Sequence, residues 1–480
     1  MLLSLLRRTR RGVPHAALAA AMAASPGAAA EAPRTLRLDL VHAGGARAEH
    51  FALERVVAEP LPWPGDPARA LDDTNLGKYR FEVIDRASRR VLYSRGFASI
   101  YGEWETTGEA REIERGFAES LRFPAPTGPV QVVVQKRDPA NDFRELWSVV
   151  VDPADLEVER SAPASAGPVV TLQESGPPAS KVDLLLLGDG YTAPERGKCE
   201  ADLARMTATL FEVEPFRSRR ADFNVRGLCP AAAESGVSRP SLEIHRRSPA
   251  GATYDALRAE RYILTFANRD WRDLAAQAPY EALVIVTNSR TYGGGGIFGQ
   301  FATVAADSAW APYILVHEFA HHFAALADEY YTSDVAYLAP AVRIEPWEPN
   351  LTALLDPARL KWRDLVTAGT PVPTPWGKEA YEARAREIQA ERRRIRAERR
   401  SEEEMDRLFE TQRAEEEKRF GAEPWARAVG AFEGAGYEAR GLYRPQADCI
   451  MFTRDRVPFC AVCRRALERV IDLHAGPPAR

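Results

Sequence analysis

The chain has 480 residues, with 64 Lys and Arg against 68 Asp and Glu and a formal net charge of −4. That length supports about two or three domains with cores of their own. The balanced charge, without a basic stripe carrying interleaved aromatics, excludes nucleic acid as an expected partner. No apolar run approaches the roughly 20 residues a bilayer requires, which excludes a transmembrane segment.

In chain order, residues 1–30 read as a signal peptide or a disordered tail. Arg7, Arg8, Arg10 and Arg11 form a basic start, Ala16 to Ala24 is a short apolar stretch, and Ala28-Ala29-Ala30 offers small residues before Glu31. The protein is therefore expected to be exported, either periplasmic or secreted. Residues 31–160 read as an antiparallel β-sandwich. Apolar and polar residues alternate in Thr35-Leu36-Arg37-Leu38-Asp39-Leu40 and in Tyr79-Arg80-Phe81-Glu82-Val83-Ile84, and β-branched runs follow at Val130–Val134 and Leu146–Val151. Nothing in this part looks like a reaction centre, so it is expected to support or to position.

Residues 161–170, rich in Ser, Pro, Ala and Gly, read as a linker. From 171 to 377 the pattern changes to apolar strands alternating with helices. Val182–Leu187 is a buried strand running into Gly188-Asp189-Gly190-Tyr191, a helix follows from roughly Glu195 to Phe211, and Phe223-Asn224-Val225 and Ala282–Thr287 are further strands. This is the signature of an α/β domain with a largely covered sheet. Gly188 and Gly190 read as a strand-to-helix turn and not a phosphate cradle, and glycines 293–296 as a flexible turn. Residues 378–420 hold neither Gly nor Pro and few apolar positions. They read as a charged, solvated insertion, either one long helix or a helical hairpin, after which residues 421–480 complete the second domain.

The most informative residues are His317-Glu318-Phe319-Ala320-His321, directly after the apolar run Tyr313-Ile314-Leu315-Val316. A helix turns about 100° per residue, so the two imidazoles share one face about 6 Å apart. There both can bind one Zn²⁺, and Glu318 can act as general base toward a water in the open position. This is the His-Glu-x-x-His pattern of zinc peptidases. A catalytic zinc takes three protein ligands, and Asp328 stands roughly 16 Å beyond His317 if the helix continues straight. The helix must therefore end soon after His321. Asp328 is then the expected third ligand, with Glu329 as the alternative, while His322 points to another face and is expected either behind the metal ligands or at the edge of the core. Tyr437 and Tyr443 are candidate phenol donors to an oxyanion, and Asp189 a candidate for tying down a loop near the site.

Cys199, Cys229, Cys449, Cys460 and Cys463 allow two disulfides and a spare thiol in an exported chain. Cys449 with Cys460-Ala461-Val462-Cys463 would alternatively make a structural zinc site, given a fourth ligand such as His474. A disulfide near the C-terminus is the favoured expectation.

The run from His317 through Leu326-Ala327-Asp328-Glu329-Tyr330-Tyr331 resembles the core of the IgA-peptidase family of bacterial zinc metallopeptidases. The resemblance extends to Leu187-Gly188-Asp189-Gly190-Tyr191-Thr192, to Gly430–Tyr437, to Cys449-Ile450-Met451 and to Phe459–Cys463. Tyr93–Phe97 with Glu103-Trp104 is similar to that family's β-sandwich domain. The resemblance implies an α+β multidomain protein, in which an N-terminal β-sandwich precedes a metzincin-like α/β zinc peptidase domain. It also implies that Met451 forms the methionine turn beneath the metal. The general metzincin pattern wants Gly where Ala324 stands and its third ligand at Ala327, so the turn here must be built differently.

The resulting expectation is a zinc-dependent endopeptidase acting on extracytoplasmic proteins. One catalytic Zn²⁺ sits on His317, His321 and Asp328, and Glu318 is general base and later proton donor. An edge strand near Gly293–Gly296 is expected to pair with an extended protein or peptide substrate. The alternatives are a non-catalytic surface module that binds protein or glycan around a structural zinc, and a scaffold built on the charged helices.

Overall fold

Period-two alternation near the N-terminus gives seven strands and one short helix. These are β1 (Arg34–Gly44), β2 (Glu49–Pro62), β3 (Tyr79–Asp85), β4 (Val91–Phe97), α1 (Ile100–Trp104), β5 (Arg115–Pro124), β6 (Val130–Arg137) and β7 (Phe143–Val151). They form two wholly antiparallel sheets, ordered β2-β1-β5 and β4-β3-β6-β7. Leu36, Leu38 and Leu40 of β1 meet Phe81 and Val83 of β3 and Val132 and Val134 of β6 in one core, as alternate residues of facing sheets must. The structure, a computed structural model, describes residues 33–477 except 334, 336 and 339–341. The expected signal peptide lies outside the described residues.

The remaining elements are β8 (Val170–Gln173), β9 (Val182–Asp189), α2 (Arg196–Leu210), β10 (Phe223–Leu228), β11 (Ala252–Thr253), β12 (Leu264–Thr265), α3 (Asn268–Ala275), β13 (Ala282–Thr287), β14 (Gly294–Ile297), β15 (Phe301–Ala305), α4 (Ala311–Ala324), α5 (Lys378–Ala397), α6 (Glu402–Gly421), β16 (Phe432–Ala435), β17 (Glu438–Arg444) and α7 (Ala461–Ala475). A six-stranded sheet runs β14-β15-β13-β9-β10-β8, parallel at its centre and antiparallel at both edges. Every residue of β9 and β13 is buried; helices and loops cover both faces, which is why these strands are near-continuous apolar runs.

The polar residues of β1 beyond Arg34 are buried too. Arg37 and Asp39 lie on the face opposite the leucines, and Arg37 reaches Asp273 of α3 at 2.5 Å. Nearby, Asn268 donates to Ser120 at 2.7 Å and Arg122 to the Tyr280 carbonyl at 3.0 Å. The alternation of β1 thus separates an apolar core from a buried polar network, not core from solvent.

Two expectations are corrected here. Glycines 294–296 belong to edge strand β14 and not to a flexible turn. A Cβ on Gly294 would lie 2.5 Å from Ile314 Cγ2, and one on Gly296 2.4 Å from the Glu318 carbonyl oxygen. Close approach of α4 is what requires glycine there. The outer edge of β14 at Gly294 is already bonded, to Arg261 and Ile263 at 3.1 Å each, so it is not open to a substrate at that residue.

The charged segment 378–420 is a helical hairpin, one of the two forms expected, but it packs along one face instead of standing free in solvent. Tyr381, Ala385, Ile388, Arg392 and Ile395 recur at helical spacing and are buried. Tyr381, Ala385 and Ile395 join Met405, Phe409 and Phe420 of α6 in the main core. The stripe is narrow, about one apolar side chain per turn, so the charged majority masks it in the composition.

Candidate metal centre

Helix α4 carries the His-Glu-x-x-His residues because its other faces are apolar; Ile314, Leu315, Val316, Phe319 and Phe323 are all buried. It ends where the sequence demands. Ala325 takes left-handed backbone (φ 55°), with its N–H bonded to the His321 carbonyl at 3.1 Å. This is a helix-terminating geometry normally given to glycine. It falls one residue after Ala324, where the metzincin pattern would put its glycine, and the acid likewise comes at Asp328 instead of 327.

The turn is then pinned from both sides. Asn350 accepts from the Ala327 N–H at 2.8 Å and donates to its carbonyl at 2.9 Å, and the Gly436 N–H donates to the Asp328 carbonyl at 3.0 Å. The chain folds back as a result. His317 Nε2 lies 3.0 Å from Asp328 Oδ1, His321 Nε2 lies 3.3 Å from the same oxygen, and the two Nε2 atoms are 3.1 Å apart. The rings stand at 88° to one another.

Donor atoms on a tetrahedron about 2.0–2.1 Å from a zinc ion are roughly 3.3 Å apart, so this triad fits such an ion. The far side of each ring is committed elsewhere. His317 Nδ1 lies 3.0 Å from the Ile450 carbonyl, and His321 Nδ1 faces the Leu326 carbonyl at 2.5 Å. Donation to those carbonyls places the proton on Nδ1 and leaves each Nε2 lone pair facing the partner ring. Electrostatics also favour positive charge at this point, carried either by a proton on His321 Nε2 or by a cation that displaces it. Burial alone would lower the pKa of His321, but the Asp328 carboxylate outweighs it and lifts it to about 9. Asp328 is held well below the usual carboxylate range by the same contacts, against the effect of its burial.

Half-buried Glu318 lies beside the triad on the wall of a cavity of about 340 Å³. Withdrawal from bulk water raises its pKa above the usual carboxylate value. Tyr437, also on that wall, donates its hydroxyl to Asp328 Oδ2, and burial holds the phenol well above its ordinary pKa.

The other sequence-predicted residues fall as follows. Glu329 faces away from the histidines, its carboxylate among Cys449, Cys460 and Cys463. The Met451 carbonyl accepts from the Glu329 N–H at 2.8 Å, and neighbouring Ile450 supplies the carbonyl behind His317. His322 is buried and neutral, accepting from Leu283 N–H at 3.0 Å and facing the Ile297 carbonyl at 3.2 Å. Burial lowers its pKa to about 4. Tyr443 is not among the residues lining the cavity. Asp189 is also absent from the lining; it fastens residues 248–252 through Ser248, Ala250 and Ala252 at 2.7–2.9 Å.

The cysteine expectation is corrected. Cys199 pairs with Cys229, whereas Cys449, Cys460 and Cys463 are unpaired and buried, so no disulfide forms near the C-terminus. Gly188 has no side chain because a Cβ there would sit 2.3 Å from Cys199 Sγ. His474 is engaged with Glu281 at 2.8 Å.

The N-terminal part also contributes to the cavity wall, in keeping with a part that supports or positions. Glu103 of α1 lines it and accepts from Tyr262 at 2.6 Å and Tyr337 at 2.8 Å. Glu103, Tyr262 and Asn350 carry no sequence signal of this role beyond the resemblance around Glu103-Trp104. Their partners are far away in the chain.

The architecture is thus a mixed α/β protein, N-terminal antiparallel sheets preceding an α/β part, with a candidate cation centre in a cleft. A family model described as IgA Peptidase M64 matches residues 170–471, and one described as Peptidase M64 N-terminus matches residues 29–148. The chain belongs to the IgA peptidase M64 family. That membership makes it a metallopeptidase, a hydrolase that takes protein substrate with a metal cofactor. No curated protein matches the chain. Among the described residues no helix is long and apolar enough to cross a membrane.

Proposed function

We propose that the protein is a zinc-dependent, metzincin-like endopeptidase that cuts extracytoplasmic proteins. Its metal ligands are His317, His321 and Asp328, and Glu318 is the general base. The observation that carries this reading is the convergence of two Nε2 atoms and one carboxylate oxygen within 3.0–3.3 Å, on a cavity wall shared with Glu318.

Zinc held there would supply Lewis acidity, polarising the scissile carbonyl and making the attacking water more acidic. Glu318 takes the proton from that water and returns it to the departing amine. Its place on the cavity wall beside the triad puts one carboxylate in the same site for both transfers. The carbonyls of Ile450 and Leu326 hold the two imidazoles in one tautomer, and Tyr437 holds Asp328 in register. Export is supported by the basic-then-apolar start of the sequence and by the Cys199–Cys229 disulfide, since such bonds persist in oxidising compartments.

The test is zinc content together with hydrolysis of an unfolded protein, for wild type, Glu318→Gln and His317→Ala. Wild type should cleave. E318Q should keep as much zinc as wild type and lose about 10²–10⁴-fold in turnover, and H317A should lose turnover together with one equivalent of zinc. Zinc retained by a wild type that cleaves nothing would favour the binding-module alternative.

A further inference from the structure

We infer a second, structural metal site formed by Glu329, Cys449, Cys460 and Cys463, which takes a thiophilic divalent cation of the zinc class. Their donor atoms all lie within 4.8 Å of one another, and all four residues are buried. Cys463 Sγ is 3.1 Å and Cys460 Sγ 3.8 Å from Glu329 Oε1. Sulfurs on a zinc ion at about 2.3 Å stand roughly 3.8 Å apart, so small side-chain rotations close this group on one ion.

Three features point to an occupant. Glu329 is fully buried, and its Oε2 has no hydrogen-bond partner, an arrangement that strands a carboxylate oxygen away from water. Cys460 caps α7 and its sulfur accepts the Cys463 N–H at 3.4 Å, while Cys449 sulfur accepts the Cys460 N–H at 3.3 Å. Such N–H donors stabilise thiolate over thiol. Finally, three thiols lie together unpaired in a chain that makes a disulfide elsewhere. Four protein ligands leave no open position, which marks the site as structural and not catalytic.

On binding, each thiol that coordinates gives up its proton to solvent and its sulfur takes the metal. The ion ties together three separate segments: the turn after α4, the loop at Cys449–Met451 and the start of α7. Asp328 and the Ile450 carbonyl lie on the first two, so the clasp sets the geometry around His317. The site itself stands independently of the peptidase reading.

The test uses the full chain purified without reductant or chelator, first assayed for zinc and intact mass, then stripped of metal and reloaded with cobalt(II). The expected result is one more zinc per chain than a His317→Ala/His321→Ala variant retains, and a thiolate-to-cobalt charge-transfer band present in both. A His/Asp site cannot produce that band. C460S/C463S should abolish it. Should that variant misfold, Glu329→Gln serves instead, weakening zinc retention against a chelator by at least about 10-fold, the loss a supporting contact alone can cause. Wild type without the band, or an intact mass showing a second disulfide among these cysteines, overturns the site. An intact band in a wild type that cleaves nothing supports this site while defeating the peptidase assignment.

Discussion

Tyr437 donates its hydroxyl to Asp328 Oδ2, while the other oxygen of that carboxylate lies 3.0 Å from His317 Nε2. One phenol thus fixes which oxygen faces the histidines. Tyr437→Phe should leave the fold intact and cost roughly 10–100-fold in metal affinity or activity, the usual effect of removing a partner behind a ligand. Chelator competition read beside kcat/KM checks this. A fall in kcat with unchanged metal affinity would instead make the phenol an oxyanion donor, the role its sequence position first suggested.

The hairpin α5–α6 should be needed for activity, contrary to its reading as a solvated insertion. Tyr381, Gln389, Gln412 and Glu416 all line the cavity that holds the triad. Phe409 anchors α6, its ring centroid 5.1 Å from Tyr292 and 5.7 Å from Trp310, with Arg454 stacked at 4.0 Å. Phe409→Ala is expected to destabilise the protein by about 3–5 kcal/mol, measured by denaturant unfolding. Deletion of residues 378–420 should abolish hydrolysis; full activity without them would return the hairpin to the role of an accessory.

These two cases mark where the sequence was legible and where it was not. Strands β9 and β13 announce themselves because both faces are covered, leaving an unbroken apolar run. Helix α4 is readable because its metal-type residues recur at helical spacing inside an apolar stretch. Strand β14 is invisible, since its glycines have the lowest strand propensity and are there to admit α4. Glu329 looked like a spare ligand for the histidines. Only the fold puts its carboxylate beside cysteines more than 100 residues on, with Cys463 Sγ at 3.1 Å. Glu103 reaches the cavity from the N-terminal part, a juxtaposition no local pattern encodes.

The N-terminal sheets contain a pH-dependent cluster. His42 Nε2 is 2.9 Å from Glu49 and its Nδ1 3.3 Å from Glu119; Lys136 also pairs with Glu49. Burial opposes the imidazolium, but the two carboxylates outweigh it and raise the His42 pKa above 6.5. Burial likewise opposes the Glu49 charge, yet the His42 hydrogen bond and Lys136 pull its pKa from 4.5 down to about 2. A raised His pKa adds stability that is complete below 6.5 and disappears as pH climbs through the folded value. A depressed Glu pKa adds stability that is complete above 4.5 and fades as pH drops toward 2. The stability difference between wild type and His42→Gln should therefore be greatest between pH 4.5 and 6.5 and shrink on either side. Thermal melts of both proteins across that range measure it, and a difference independent of pH would show that His42 acts through packing alone.

The turn that ends α4 supplies a last expectation, because Ala325 occupies backbone at φ 55° that favours glycine. Ala325 is buried, at 3 % exposure, so its methyl both fills space and strains the turn. Ala325→Gly relieves the strain at the cost of a more flexible unfolded chain and a lost methyl contact. The net change should be small, within about 1 kcal/mol of wild type. Ala325→Val adds a branched side chain to the same left-handed position and should destabilise by more than that. The turn also sets where Asp328 falls relative to His317, so the valine variant should bind metal more weakly while the glycine variant binds as wild type does. Denaturation midpoints and metal titrations of the two variants decide it. If valine lowers stability yet leaves metal binding untouched, the position of Asp328 is governed by Asn350 and the Gly436 contact and not by the helix terminus.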